Sequence, residues 1–262
     1  MMVTAVDDPS VAETALELGC YGYILKPFKA NEVIINIRNS LRRRELEIAN
    51  RSYRQDLERM VEERTEKFRK ALDGIVHAMA LTVETRDPYT AGHQRRVTEL
   101  ALAIAKQDGL LEEQMEGLRM GGMIHDLGKI SVPAEILSKP GRLTDTEFSL
   151  IKNHPQVGYN ILKEIEFPWP VAQMVLQHHE RINGSGYPQG LSGEDIILEA
   201  RIMAVADVVE AMASHRPYRP ALGVDTALEE ISKNRGSLYD PDAADACLKV
   251  FKDKGFEFSQ AD

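Results

Sequence analysis

The chain has 262 residues, which is enough for one full domain plus a smaller piece or a long linker, and its 43% apolar composition is typical of a globular protein. A formal charge of −9 argues against a nucleic-acid partner, because such surfaces need clustered Lys and Arg. No run of about 18 apolar residues and no signal-peptide pattern occurs, so we expect a cytoplasmic protein with no membrane partner.

The first forty residues or so alternate two kinds of pattern. Short apolar runs extend from Met1 to Val6 and from Tyr21 to Leu25, and helical patterns begin at Pro9 and at Asn31. The order strand, helix, strand, helix predicts an α/β piece with parallel strands. Two strands do not make a stable domain alone.

These residues also carry a family resemblance. The segments TAVDD and GCYGYILKPF resemble the second half of a response-regulator receiver domain, with Thr4 at the position of its switch hydroxyl and Lys26 at that of its phosphate-binding lysine. The half that carries the acidic metal pocket and the phospho-accepting aspartate in that family is absent from this sequence. We therefore expect residues 1–37 to be a truncated receiver fragment that is not phosphorylated.

A linker is predicted over residues 38–72. From Asn36 to Leu72 the sequence is nearly free of Gly and Pro and rich in Arg and Glu, which indicates a long helix. Two sets of apolar residues recur there every seven positions and suggest a parallel homodimer, with a solvated single helix as the alternative. The sets are Leu46, Tyr53 and Met60, and Val61, Phe68 and Ile75.

The remainder, residues 73–262, has helical apolar spacing almost throughout and is predicted to be one helical domain. The fold class is therefore mainly α, with a long linker helix and a small α/β fragment at the N-terminus. Breaks between helices are predicted at Gly74, Pro88, Gly109, Pro133, Pro140, Pro155, Pro168, Gly184 to Pro188, Pro217 and Pro241.

Histidines are concentrated in this domain beside other ionisable residues. The chain has seven histidines, and the clustered ones are His93 in YTAGH, His125 with Asp126 in HDLGK, His154 in KNHP, and His178 with His179 in QHHE. Any one of them can be an ordinary core or surface residue. This explanation is weaker for the adjacent His-Asp and His-His pairs. Neighbouring side chains on a helix point about 100° apart, so both can serve one centre only at a helix end or in a kinked turn. Gly128 and Asn183-Gly184 are candidates for such turns.

Asp207 adds a carboxylate to this set. It lies in RIMAVADVVEAMA, where apolar residues surround it, and a carboxylate is rarely buried without a cation or hydrogen-bond partners. A salt bridge to an arginine is the alternative to a metal. Imidazole and carboxylate without thiolate suit iron, manganese, nickel or zinc. Five histidines and two aspartates exceed one tetrahedral site, so two metals bridged by a carboxylate account for them better.

The motifs HDLGK, NHP, HHERINGSGYP, ADVVEAM and RPYR, in this order, resemble the HD-GYP domains, a subgroup of the HD metal-dependent phosphohydrolases. The resemblance implies two divalent transition-metal ions, with Fe or Mn favoured and Ni or Zn possible. Some members bind a third metal through a glutamate at the position of Tyr89, so two are expected here. The implied ligands are His125, Asp126 as the bridge, His154, His178, His179 and Asp207, with His93 as a further ligand or a supporting group.

The same resemblance implies an activity, the hydrolysis of cyclic di-GMP to pGpG by a metal-bridging hydroxide, and it leaves open whether pGpG is hydrolysed onward to GMP. His125, Asp126 and Lys129 would form the catalytic set, and Lys129 would also reach a phosphate oxygen. Tyr187 is a candidate to stack on a base, with loop packing as the alternative.

Two further expectations concern substrate and partners. Arg216 and Arg219 are candidates to clamp the second phosphate or a guanine, with solvated charges as the alternative. In relatives the GYP loop contacts diguanylate cyclase (GGDEF) domains. Asn183 replaces the usual aspartate at the start of that loop, which puts this contact in doubt.

Two competing hypotheses remain open at this stage. One is a non-catalytic adaptor that binds a cyclic dinucleotide or a cyclase domain. The other is a phosphohydrolase of another nucleotide, including a mixed cyclic GMP-AMP dinucleotide. The presence of every metal-ligand position favours an enzyme over the adaptor.

Overall fold

A computed structural model describes residues 1–86, 92–215 and 220–259 of the chain. It divides into two compact units, Met1–Ala71 and Leu72–Asp262. The fold is mainly helical, as predicted. Within the described ranges, no helix combines the length and the apolar character that a bilayer span requires.

The first unit contains the predicted α/β piece. Strand β1 (Met2–Thr4) pairs in parallel with β2 (Tyr23–Leu25), and helix α1 (Pro9–Glu17) connects them. The carboxylate of Asp8 caps α1 by accepting a hydrogen bond from the backbone N–H of Ser10. The order and the parallel pairing match the prediction from apolar patterning.

Helix α2 (Ala30–Glu84) is longer than the predicted linker helix at both ends. The predicted break at Gly74 is wrong, because Gly74 lies inside α2. A glycine in a helix interior costs only about 1 kcal/mol relative to alanine, and neighbouring residues of high helix propensity outweigh this cost. The predicted heptad positions Tyr53 and Phe68 are both 66% exposed on α2.

The second unit is an array of helices joined by short loops. In the part of the unit that the structure describes, two short 3₁₀ helices, Leu127–Ser131 and Gly193–Asp195, interrupt the α-helical sequence. The α-helices are α3 (His93–Asp108), α4 (Glu112–Ile124), α5 (Ala134–Leu137), α6 (Asp145–Lys152), α7 (His154–Leu162), α8 (Val171–Gln177), α9 (Leu198–Ala213), α10 (Val224–Lys233) and α11 (Pro241–Lys254).

Two apolar cores hold these helices together. The larger core joins α3, α4, α9, α10 and α11 around fully buried residues such as Leu100 and Ile202. The smaller core joins α4, α7 and α8 with the end of α2 through residues such as Val83 and Leu162. Helix α4 contributes to both cores, and its C-terminal end carries the His125-Asp126 pair.

Candidate metal centre

The predicted metal ligands lie at helix ends, where a side chain can leave the helix face. His93 and His154 are the first residues of α3 and α7, whereas His125 and His178 directly follow the last residues of α4 and α8. The exception is Asp207, which lies within α9. The structure brings all the predicted ligands together, namely His93, His125, Asp126, His154, His178, His179 and Asp207.

Three of the histidine rings are fixed by backbone carbonyl groups at the ends of helices. The Nδ1 atoms of His125, His154 and His178 lie 2.7 Å from the carbonyl oxygens of Gly122, Ile151 and Val175. A carbonyl oxygen only accepts, so each Nδ1 carries the proton and donates to a carbonyl that the helix end leaves unpaired. In the neutral form of each ring, Nε2 is therefore an unprotonated acceptor available to a cation.

Two carboxylates face these imidazoles. Asp126 Oδ1 lies 3.2 Å from Nε2 of His154, and Asp126 Oδ2 lies 3.6 Å and 3.7 Å from Nε2 of His125 and His93. Asp207 Oδ1 lies 3.3 Å from Nε2 of His93, and its Oδ2 lies 3.8 Å from Nδ1 of His179. Among the described residues, Asp207 thus faces two imidazoles and not the arginine that the alternative hypothesis required.

Lys129 is held beside this cluster. Its Nζ lies 2.6 Å from Asp126 Oδ2, and its side chain is 14% exposed. Burial raises the pKa of Asp126, but the charge of Lys129 and the nearby His125 and His154 more than offset it, so this pKa lies well below its ordinary value. Asp126 is therefore an anion at neutral pH.

Burial keeps three of the imidazoles neutral. Burial lowers the pKa of His125, and it lowers the pKa values of His178 and His179 further, with help from neighbouring imidazoles. For Asp207, burial raises the pKa, but the hydrogen bond with His93 and the neighbouring imidazole of His179 lower it well below the ordinary value. Neutral imidazole with ionised carboxylate is the protonation state that metal binding requires.

The donor set fits a divalent transition metal. Nε2 of His125 is buried without a hydrogen-bond partner among the described residues. Nε2 of His154 and Nε2 of His178 lie 3.3 Å apart, and both Nδ1 atoms donate to carbonyl groups, so two lone pairs face each other when both rings are neutral. A cation bound here would give Nε2 of His125 a partner and would accept the lone pairs of His154 and His178. Three overlapping sets have ligand atoms within 4.8 Å of one another: His154, His178 and His179; His93, His125 and Asp207; and His125, Asp126 and His178.

Gly128 sets the spacing between two parts of the cluster. A Cβ atom at this position would lie 1.8 Å from the carbonyl oxygen of His154 and 2.6 Å from the backbone nitrogen of Gly158. Gly128 lies in the 3₁₀ turn that follows the His125-Asp126 pair, as the sequence suggested. It does not have a positive φ, so a glycine is needed there for the close approach of the two backbone segments. This contact allows Asp126 to reach His154.

Sequence reasoning missed Glu210, which lies one turn after Asp207 on α9. Its fully buried carboxylate binds Nδ1 of His93, and its Oε1 accepts hydrogen bonds from Nε of Arg96 at 2.8 Å and from Oγ of Ser214 at 2.7 Å. Glu210 thereby fixes the ring of His93 from the side opposite Asp207. The signal was available, because Glu210 occupies the same apolar segment that singled out Asp207.

Glu180, immediately after the His178-His179 pair, was also missed. Its side chain is 2% exposed, and its two carboxylate oxygens accept backbone N–H groups of Gln189 at 2.7 Å and Leu191 at 3.1 Å. It holds the loop that contains the GSGYP segment. Tyr187 of this loop lies against His179, with ring centroids 4.7 Å apart.

Other predicted residues have simpler outcomes. Asn183 Oδ1 accepts the backbone N–H of Ser185 at 3.0 Å, a local role that an aspartate performs equally well. The predictions for Tyr89, Arg216 and Arg219 fall outside the described residues.

Comparison with known proteins places this cluster in a family. A family model described as "HD domain" matches residues 77–243. The chain belongs to the HD-domain family. The match contains every residue of the candidate metal centre, from His93 to Asp207.

Two curated relatives align over most of the chain. It is 38% identical over 255 residues to the "Cyclic di-GMP phosphodiesterase response regulator RpfG" of Xanthomonas campestris pv. campestris. The alignment covers 95% of this chain and 66% of that protein. The chain is 34% identical over 261 residues to the "Cyclic di-GMP phosphodiesterase" of Thermotoga maritima, covering 96% of this chain and 71% of that protein. The chain thus spans about two thirds of the length of these relatives.

A solved structure supports the fold. The chain is similar to Bd1817, an HDG"Y"P protein from Bdellovibrio bacteriovorus, with a TM-score of 0.52 and 20% identity over 62% of this chain and 52% of that chain. At this identity the similarity supports the HD-domain fold alone.

Proposed function

We propose that this chain is a metal-dependent phosphodiesterase that hydrolyses cyclic di-GMP to pGpG and onward to GMP. The observation that carries the proposal is the convergence of unprotonated Nε2 atoms with two ionised carboxylates in a buried cluster. The printed names of the two relatives support the choice of substrate.

We propose two divalent ions, with Fe or Mn favoured over Ni or Zn. Asp126 is suited to be the bridging ligand, because its Oδ1 faces His154 while its Oδ2 faces His125 and His93. His178, His179 and Asp207 would complete the set. The overlap of the ligand groups supports neighbouring positions for the ions.

When bound, such ions lower the pKa of water and neutralise charge that develops on phosphate oxygens. The side chains of this chain perform the remaining tasks. Lys129 keeps Asp126 ionised and oriented, and it adds positive charge beside the site of phosphate binding. Glu210 holds His93, and the backbone carbonyls hold His125, His154 and His178, so the ligands are ordered before an ion arrives.

Contacts with the rest of the substrate belong to the same proposal. Tyr187 lies at the metal cluster beside His179, where its ring is in position to meet a guanine base. The cation of Lys152 lies 5.4 Å from the centre of the Tyr187 ring and adds positive charge near it. Arg216 and Arg219 stay proposed contacts for the second phosphate or a guanine.

We further propose that the chain dimerises through α2. Apolar side chains at seven-residue spacing are exposed there, including Leu46 at 59% and Val61 at 62%. A parallel pairing of two copies would cover them. Light scattering of the wild type and of a Leu46→Glu, Tyr53→Glu variant tests this, because only the wild type should have the mass of two chains.

Two proposals concern the signalling context. The parallel strands β1 and β2 and the adjacent Thr4 and Lys26 support a receiver-like fragment, since Lys26 donates its backbone N–H to the carbonyl of Thr4 at 2.8 Å. The ordered loop around Tyr187 is a proposed contact for a diguanylate cyclase domain.

The decisive experiment is chromatography of cyclic di-GMP incubated with anaerobically purified protein loaded with Mn²⁺ or Fe²⁺. The expected products are pGpG and GMP, and both should disappear in Asp126→Ala and His178→Ala variants. Parallel incubations with cyclic GMP-AMP and with a nucleoside polyphosphate test the alternative substrates. Binding of cyclic di-GMP by the metal-loaded protein with no turnover would reject the enzyme and leave the adaptor.

A further inference from the structure

His179 differs from the other histidines of the cluster in how its ring is held. Among the described residues, its Nδ1 approaches Asp207 Oδ2 only at 3.8 Å, which is too long for a hydrogen bond. The other rings are fixed through Nδ1 by a backbone carbonyl or by Glu210. The orientation of His179 therefore depends on ring packing.

Three rings provide that packing, namely those of His154, His178 and Tyr187, and the centroid of His154 lies 5.1 Å from that of His179 in an edge contact. The centroid of His178 lies 4.2 Å from that of His179, and the centroid of Tyr187 lies 4.7 Å away with an interplanar angle of 31°. The distance to Tyr187 lies within the range of favourable offset stacking, roughly 4.5 to 7 Å, and the His178 ring is closer than this range. His178 is itself fixed by the carbonyl of Val175, so Tyr187 is the contact contributed by the following loop.

Backbone contacts fix the position of Tyr187. Its N–H donates to the carbonyl oxygen of His179 at 3.2 Å. The preceding Gly186 lies so close to residue 180 that a Cβ atom would be 2.4 Å from the Cα of Glu180. The carboxylate of Glu180 accepts the N–H groups of Gln189 and Leu191 on the far side of the loop. The loop is thus closed around Glu180.

We infer that Tyr187 is a positioning residue for the metal ligand His179, and that Glu180 holds Tyr187 in place. The stacked ring of Tyr187 restricts the orientation of the His179 ring before metal binding. A carbonyl group has this role for His125, His154 and His178. This inference rests on the metal centre of the proposed function, but not on its substrate. It also gives a physical reason for the HHE and GYP segments to occur together in one chain.

The test measures metal affinity, which is independent of turnover. Mn²⁺ alone is titrated into metal-free protein in competition with a chromophoric chelator, for the wild type and for Tyr187→Leu, Tyr187→Met and Tyr187→Phe. Stacking of this kind corresponds to about a threefold to tenfold change in an equilibrium constant. We expect Tyr187→Leu and Tyr187→Met to weaken Mn²⁺ binding by this factor, whereas Tyr187→Phe stays within about twofold of the wild type.

A matched control is Tyr159→Leu on α7, whose ring makes none of the contacts described at the site. It should bind Mn²⁺ as the wild type does. Co²⁺-loaded protein gives a second readout, because a change in the orientation of a ligand alters the visible absorption of this ion. The spectrum of Tyr187→Leu should differ from those of Tyr187→Phe and Tyr159→Leu.

Glu180→Gln tests the role of the anchor. An amide nitrogen replaces one acceptor oxygen, so one backbone N–H of the loop loses its partner. Hydrogen exchange over residues 184–191 should become faster, and Mn²⁺ affinity should fall as in Tyr187→Leu. Unchanged Mn²⁺ affinity in Tyr187→Leu, with only a higher KM for cyclic di-GMP, would overturn the inference in favour of base stacking alone. Wild-type protein that binds Mn²⁺ without hydrolysing cyclic di-GMP would reject the proposed function and leave this inference standing.

Discussion

Replacing Gly128 with alanine should damage both folding and the metal centre. The added Cβ would lie 1.8 Å from the carbonyl oxygen of His154, and its next neighbours are also backbone atoms, which have no rotamer to change. Since such contacts hardly occur below about 3.0 Å, the two backbone segments must separate by roughly 1.2 Å. This shift moves Asp126, which lies 3.2 Å from Nε2 of His154, away from the imidazoles.

The expected magnitudes follow from the shift. Overpacking of this kind costs about 1 to 3 kcal/mol in the free energy of unfolding. A displacement of about 1 Å at a reacting centre costs roughly 100-fold in rate. Urea unfolding and turnover of cyclic di-GMP measure the two effects. Gly74→Ala is the matched control, because no atom lies within 4 Å of its added Cβ and the helix should gain up to about 1 kcal/mol. Wild-type stability and turnover in Gly128→Ala would refute the argument from close approach.

Three further predictions concern charges at the site. Asp207→Asn should reduce bound metal, measured by elemental analysis, because a neutral amide replaces the carboxylate that faces His93 and His179. Glu210→Gln should lower the free energy of unfolding, measured in urea, by about 3 kcal/mol, because it removes a buried charge that is paired with Arg96. A change below about 0.5 kcal/mol would contradict this prediction. Metal-free protein should lose stability as the pH falls below about 6.5, because the unfolded chain then takes up protons that the buried histidines do not. The free energy of unfolding should fall by up to ~1.4 kcal/mol per pH unit for each histidine whose pKa is lowered by burial. Melting temperatures from pH 8 to pH 5.5 measure this, and a flat profile would contradict it.

The sequence was sufficient to predict the mainly helical fold and to predict which histidines and aspartates lie together at the candidate metal centre. Adjacent His-Asp and His-His pairs require helix ends, and His125 and His178 do follow the last residues of helices. Asp207 was predictable because a carboxylate in an apolar helix needs a partner. These inferences depend only on residues that are close together along the chain, so a single sequence is enough to make them.

The supporting contacts were not predictable in the same way. Glu210 reaches His93 across 117 positions of the chain, and the carbonyl bonds to Nδ1 depend on where each helix ends to within one residue. Gly128 was singled out for a turn, whereas its importance comes from packing against α7, which only the tertiary structure reveals. Glu180 was hidden because its partners are backbone N–H groups, which carry no side-chain signature.

The most direct test of the metal centre is the number of ions bound per chain. Elemental analysis of anaerobically purified protein reconstituted with Mn²⁺ or Fe²⁺, with and without Asp126→Ala, measures it. The structure predicts two ions per wild-type chain and at most one in Asp126→Ala, because Asp126 faces imidazoles on both sides. Wild-type protein that retains no ion while its helices stay folded would contradict the account.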